Sequence, residues 1–196
     1  LLGGFPVGAK MIRQEVERGN FTKNQGKRML LFCVNPGLAF VINMIGASIL
    51  RNKKAGVILF VGLVMSSFII GIASRFFKKD DTHTVKKETY NGSSPFVDSI
   101  NESIRAMIKI CGWIILFSAL MQIIAKSNLP GEVKLWLMIS GEVTLGSELS
   151  CRSFPLYFTG FVLGWGGFSV HAQIIDDINF VGLNYKYFAV AKIVGG

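Results

Sequence analysis

Glu142 is a carboxylate inside an apolar run. It stands in Leu-Trp-Leu-Met-Ile-Ser-Gly-Glu-Val-Thr-Leu, residues 135–145, with Thr144 two positions on. If the run spans a bilayer, both groups must face inward, because a carboxylate at mid-span costs roughly 2.5–3.5 kcal/mol on insertion scales. If it does not span, Glu142 sits at an interface. A second polar group, Asn35, precedes Pro36-Gly37 in another apolar helix. Proline removes a donor and clashes with the preceding turn, so the helix must kink or break there. Asn35 then either satisfies freed backbone groups or faces a ligand. A third set, Ser169, His171 and Gln173, follows the helix-weakening pair Gly166-Gly167. His171 suits proton carriage, ligand binding or a structural hydrogen bond.

Asn35, Glu142, Thr144, Ser169, His171 and Gln173 are therefore the candidate substrate-binding residues, with helix breaks at Pro36, Gly37, Gly166 and Gly167. Their chemistry is binding, not bond-making. The sequence offers no paired carboxylates at a useful spacing, no nucleophile motif and no metal cluster. No catalytic residue, metal ligand or cofactor is expected, and the chain does not read as an enzyme. His83, among Asp80, Asp81 and Thr82, reads as a solvated loop histidine. Cys33, Cys111 and Cys151 are scattered, with no disulfide or metal spacing.

The composition explains what must position these groups. Hydrophobic residues make up 51% of the chain, yet it carries 21 Lys and Arg and a net charge of +9; mean hydropathy is +0.46. The cations cluster in short runs such as Lys27-Arg28 and Arg51–Lys54, separated by long stretches with few charges. That pattern fits apolar spans joined by basic loops, with the positive charge held against anionic headgroups. A nucleic-acid-binding protein would spread its cations along amphipathic faces, so no nucleic-acid partner is expected.

The spacing predicts spans over 29–50, 55–74, 106–125, 135–150 and 155–172. Thr22 and Gln25 form a capping box for the helix that enters the first. Ser94-Pro95 opens a helix that is amphipathic in its early turns and apolar from Ile110 to Ala125. Gly160 and Gly164 make a close-packing step, and Asn184 can cap the last helix.

Two segments 163 residues apart are nearly alike. Gly3-Gly4-Phe5-Pro6-Val7-Gly8-Ala9 recurs as Gly166-Gly167-Phe168-Ser169-Val170-His171-Ala172, and eight of the 21 positions from Gly3 to Lys23 are identical at that offset. Each copy leads into a surface stretch, a glycine (Gly19, Gly182) and a capped return. In the first stretch Met11, Ile12, Glu15 and Val16 share a face. The expected architecture is all-α: a polytopic membrane protein with duplicated, inverted repeats, broken helices and short surface helices. Repeat 1 covers about 1–76, a polar loop 77–94, a connecting helix 95–126 and a truncated repeat 2 about 135–196. Together they form one membrane domain, expected to be a fragment of a longer chain. Five crossings would place the copies on opposite sides. Of the Lys and Arg, 12 then fall on the first-motif side and seven opposite, with Arg105 and Lys109 within a helix. The positive-inside rule puts the first surface stretch in the cytoplasm.

Gly-Phe-Pro-Val-Gly-Ala-Lys (4–10), Gly-Asn-Phe-Thr (19–22), Phe-Cys-Val-Asn-Pro-Gly (32–37) and Gly-Gly-Phe-Ser-Val-His-Ala-Gln (166–173) resemble the YlbJ-type sporulation integral membrane proteins. These belong to a wider group carrying a nucleoside-recognition, or gate, domain. The resemblance covers essentially the whole chain. It implies a multi-pass protein of the bacterial inner membrane needed for spore cortex assembly; it supplies no catalytic residues to carry over. The expected function is a transporter or permeation protein for a small solute, nucleoside-like only by analogy. The alternative is a non-transporting scaffold for a spore-envelope complex. The expected partners are the bilayer, that solute and, for either reading, a further copy of the chain.

Overall fold

The computed structural model describes residues 4–76 and 95–196. Every regular element among them is a helix. In order they are α1 (Phe5–Glu17), α2 (Lys23–Cys33), a π-helix, π1 (Phe40–Ile49), α3 (Lys53–Phe76), α4 (Pro95–Lys126), α5 (Gly131–Gly141), α6 (Val143–Ser153), α7 (Leu156–Trp165), α8 (Gly167–Val181) and α9 (Tyr185–Gly195). The all-α expectation holds for the described residues. Gly3 of the first motif, the loop with His83 and the Ser94 cap lie outside them.

Two helices are long and apolar enough to cross a membrane: α3 over Lys53–Ser74 and α4 over Ser103–Lys126. Only 22% and 6% of their apolar windows are buried. Ile58, Ile69 and Ile72 on α3, and Ile108, Ile115 and Ile123 on α4, stand exposed. Water would penalise such a surface, whereas lipid would not.

The other three expected spans are not single helices. Residues 29–50 divide between α2 and π1, residues 135–150 between α5 and α6, and residues 155–172 between α7 and α8. The first pair stays extended. Phe32 lies against Gly71, Asn35 bonds Ser67, and Gly46 meets Gly56 backbone to backbone. These contacts run antiparallel in register, so α2 and π1 together line the length of α3. From Gly56 to Gly71 that is about 22 Å of helix. A side chain at Gly46 or Gly56 would strike the opposite backbone, which is why both positions are glycine. The i→i+5 winding of π1, with Leu50 N–H donating to Ile45 O at 2.9 Å, is not visible in the residue spacing.

The second pair folds back. Glu142 alone separates α5 from α6, in an extended conformation (φ −136, ψ 129). Gly146 then packs directly onto the backbone of Ile139. In a continuous helix those two residues would stand about 10 Å apart along the axis. Each arm has 11 residues, or about 16 Å of helix, half a hydrocarbon core. Residues 135–150 therefore form a hairpin and not one crossing. This corrects the five-crossing count, and the inverted relation of the repeats no longer follows from it.

The two repeat copies, α1 and α8, pack against each other in the main core, but with different faces. α1 buries Phe5, Ala9, Ile12 and Val16, and α8 buries Val170, Ile174, Ile178 and Val181. The positions equivalent at the 163-residue offset exchange roles: Phe5 is 6% exposed and Phe168 48%, whereas Met11 is 59% exposed and Ile174 0%. The expected face of the first surface stretch is corrected accordingly. Ile12 and Val16 are buried, Met11 is exposed, and the helix begins at Phe5 rather than Met11.

Local signals behave as the sequence suggests. Thr22 and Gln25 form the capping box reciprocally, at 2.9 and 3.2 Å. Asn184 Oδ1 accepts from Lys186 N–H at 3.0 Å. Of the Gly160/Gly164 step, Gly164 meets the backbone of Gly195 and Gly196 at the end of α9, while Gly160 faces the Leu59 side chain.

Candidate functional site

The first break leaves residues 34–37 without helical structure. The carbonyls at the end of α2 lose their intrahelical donors, and the helix dipole makes that end negative. Two side chains meet the need. Asn35 Nδ2 donates to Phe32 O at 2.9 Å and to Ser67 Oγ at 2.7 Å. Lys192 reaches in from α9: its ammonium donates to Val34 O, and its Nζ lies 3.4 Å from Asn35 Oδ1. Ser67 Oγ donates in turn to Leu63 O at 2.8 Å. Asn35 is 5% exposed, and Ser67 and Lys192 are 4%. A buried cation thus sits at a helix C-terminus, which is the favourable sign.

The second break has the opposite polarity. The start of α6 presents free backbone N–H groups, and Glu142 turns its own carboxylate onto them. Leu145 N–H donates to Glu142 Oε2 at 2.8 Å. Glu142 is 6% exposed. Thr144, on the first turn of α6, is half-buried. Ser140, before the break, accepts through its carbonyl from Trp165 Nε1–H at 3.4 Å.

The third break is Gly166-Gly167, with φ of 80 and 75, values that other residues rarely adopt. A Cβ on Gly167 would come within 3.0 Å of Val143 N and 3.2 Å of the Glu142 carbonyl carbon. The Gly-Gly pair therefore lets the start of α8 rest on the Glu142 turn. Beyond it, Ser169 is buried, with no hydrogen-bond partner for its Oγ among the described residues. His171 is fully engaged: Nδ1 lies 2.8 Å from Tyr185 OH and Nε2 3.1 Å from Trp165 O. Its ring stacks on Trp165 at 4.3 Å between centroids.

Asn35 and Glu142 do not touch. They are joined through side chains from the repeat copies and α9. Lys192 lies 5.6 Å from the Phe188 ring centre, and Phe188 meets His171 edge-on at 5.3 Å. His171 stacks on Trp165, whose indole bonds Ser140. On the other side Gly4 approaches Gly37 N, and the Phe5 ring fits against Gly166. Asn35, Glu142 and His171 thus belong to one buried seam, and Ser169 is buried on the same first turns of α8 as His171. Gln173 does not: it lines a groove between α1 and α4 with Arg13 and Asp177.

Sequence reasoning missed Lys192, Ser67, Trp165 and Tyr185. Lys192 carried the same signal as Glu142, a charge flanked by Ala-Val-Ala and Ile-Val, but it reads as a loop cation when only charge runs are counted.

Near the groove the copies exchange charges. Asp176 and Asp177 stand where the first copy has Arg13 and Gln14. Arg13 pairs with Asp177 at 3.5 Å, and Lys109 with Asp176 at 2.6 Å. The hydrogen bond and charge of Lys109 lower the Asp176 carboxyl below its ordinary value. Burial raises Asp177 despite Arg13 and Lys109.

The class these observations define is an all-helical chain with two helices suited to a bilayer and a buried seam of interrupted helices. The chain is similar along its whole length, over an alignment of 241 positions, to the sporulation integral membrane protein YlbJ of Bacillus subtilis (strain 168), at 20% identity. It spans 59% of that protein's length. No family model and no solved structure matches it.

Proposed function

We propose that the chain is the core of a multi-pass protein of the bacterial inner membrane that moves a small polar solute during spore formation. The observation that carries this reading is the pair of helix breaks whose freed backbone ends are held by buried charges of the opposite sign. Transporters build solute sites at discontinuous helices, with helix ends and unwound backbone facing the cargo. Here Lys192 and Asn35 close the first break by bonding the groups a solute would bond. Passage then requires Lys192 to release Val34 O, so that solute and lysine compete for one place. The similarity to a sporulation protein supports the setting, and the exposed apolar faces of α3 and α4 support the membrane. The reading assigns no bond-making step to the chain.

The test is complementation in a spore-forming host lacking its own copy of the gene. Lys192→Met is expected to reach the membrane at the normal level and to lose heat-resistant spores. Normal spore resistance from Lys192→Met at a normal membrane level contradicts the proposal.

A further inference from the structure

We propose that the groove between α1 and α4 binds the headgroup of an anionic phospholipid. This needs only a bilayer-embedded chain and is independent of solute transport. The groove encloses about 510 Å3. Its walls bring together Lys10, Arg13 and Arg18 from α1 with Arg105 and Lys109 from α4, and Asp177 is the one carboxylate among its lining. Glu15, Glu17 and Asp176 at its edge offset part of that charge, and the recess keeps an excess of cations.

Depth and continuity favour a lipid over a free ion. The membrane-spanning stretch of α4 begins at Ser103, so Arg105 and Lys109 sit in its first two turns, where headgroups lie. Met11 and Met107 add an apolar wall to the groove, and both are largely exposed. From there Ile110, which lines the groove, and Ile114 one turn further on continue along the same face of α4, a track for an acyl chain. A phosphate diester among the cations with its tail along α4 would satisfy both surfaces at once. Arg13 and Lys109 already hold Asp177 and Asp176, and Arg18 holds Glu15 at the surface. Arg105 makes no ion pair among the described residues and is the cation most available to a phosphate.

The experiment is native mass spectrometry of the purified full chain in detergent, titrated with dioleoyl phosphatidylglycerol or dioleoyl phosphatidylcholine. Phosphatidylglycerol is expected to bind at least tenfold more tightly. In the Arg18→Gln/Arg105→Gln double variant that preference should fall by about fivefold or more. Lys53→Gln/Lys54→Gln, in the first turn of α3, should keep it. Equal binding of the two lipids overturns the proposal, as does a preference unchanged in the groove variant or lost equally in the α3 variant. Inorganic phosphate that displaces phosphatidylglycerol at equal concentration would assign the groove to a free anion and overturn the lipid assignment.

Discussion

The two polar interruptions on either side of α8 solve the same problem in opposite ways. At Asn35-Pro36-Gly37 the chain unwinds over four residues and continues in its original direction along α3. At Glu142 it turns over one residue and comes back on itself. The first exposes carbonyls, and they are met by a cation from a helix 157 residues later in the chain. The second exposes N–H groups, and they are met by the carboxylate of the turning residue itself. A break held by a remote element can open when that element moves. A break capped from within is a fixed corner. On the proposed reading, opening belongs at Asn35 and Lys192, and the Glu142–Gly167 corner stays fixed.

The largest effect should come from unbalancing the first break. Asn35→Leu leaves the Lys192 ammonium buried with the Val34 carbonyl as its one remaining acceptor and takes the Asn35 donor from Ser67 Oγ and Phe32 O, and losing a hydrogen bond to a charged group costs about 1.5–3 kcal/mol. Thermal unfolding in detergent should show it as a large fall in midpoint. Gly146→Val comes next: its side chain meets the Ile139 backbone, and overpacking of this kind costs about 1–3 kcal/mol. Size-exclusion chromatography should show the hairpin variant eluting as a loosened species.

Glu142→Ala should cost less, about 0.5–2 kcal/mol for a lost N-cap, while Glu142→Gln keeps an accepting oxygen and most of the stability. If Glu142→Ala proves more damaging than Asn35→Leu, the assignment of the rigid and mobile corners is reversed. The smallest effects lie at the surface. Asp177 is raised, so it favours the folded state below the ordinary carboxylate range and loses that contribution as pH rises through its own value. Asp177→Asn should therefore be neutral or slightly stabilising at pH 7. Asp176 is lowered, so its contribution is present above the ordinary range and fades as pH falls. Asp176→Asn should be slightly destabilising at pH 7 and without effect in acid. Thermal melts at pH 3 and pH 7 read both signs.

Much of this architecture was legible. Pro36-Gly37 and Gly166-Gly167 announce breaks because proline and paired glycine weaken any helix, whatever surrounds it. The Thr22/Gln25 box is a four-residue signal and holds locally. What lay hidden depends on distant contacts. Whether a broken helix runs on or folds back is decided at Gly46 against Gly56 and at Gly146 against Ile139, pairs that no periodicity reveals. The buried faces of α1 and α8 differ although their sequences agree, because each meets different neighbours. Glu142 was legible as a polar group that must be satisfied, but not as a cap. Lys192 was overlooked because its partner, Val34 O, is a backbone atom and leaves no mark in the sequence.

The central claim is that Lys192 closes the first break by holding Asn35 and the end of α2. It is tested most directly by a double-mutant cycle on Asn35→Leu and Lys192→Met, read as unfolding free energy in detergent. The account predicts that the double variant recovers most of the Asn35→Leu loss, with a coupling of about 2 kcal/mol or more. Additive effects, with no coupling beyond about 0.5 kcal/mol, would contradict it.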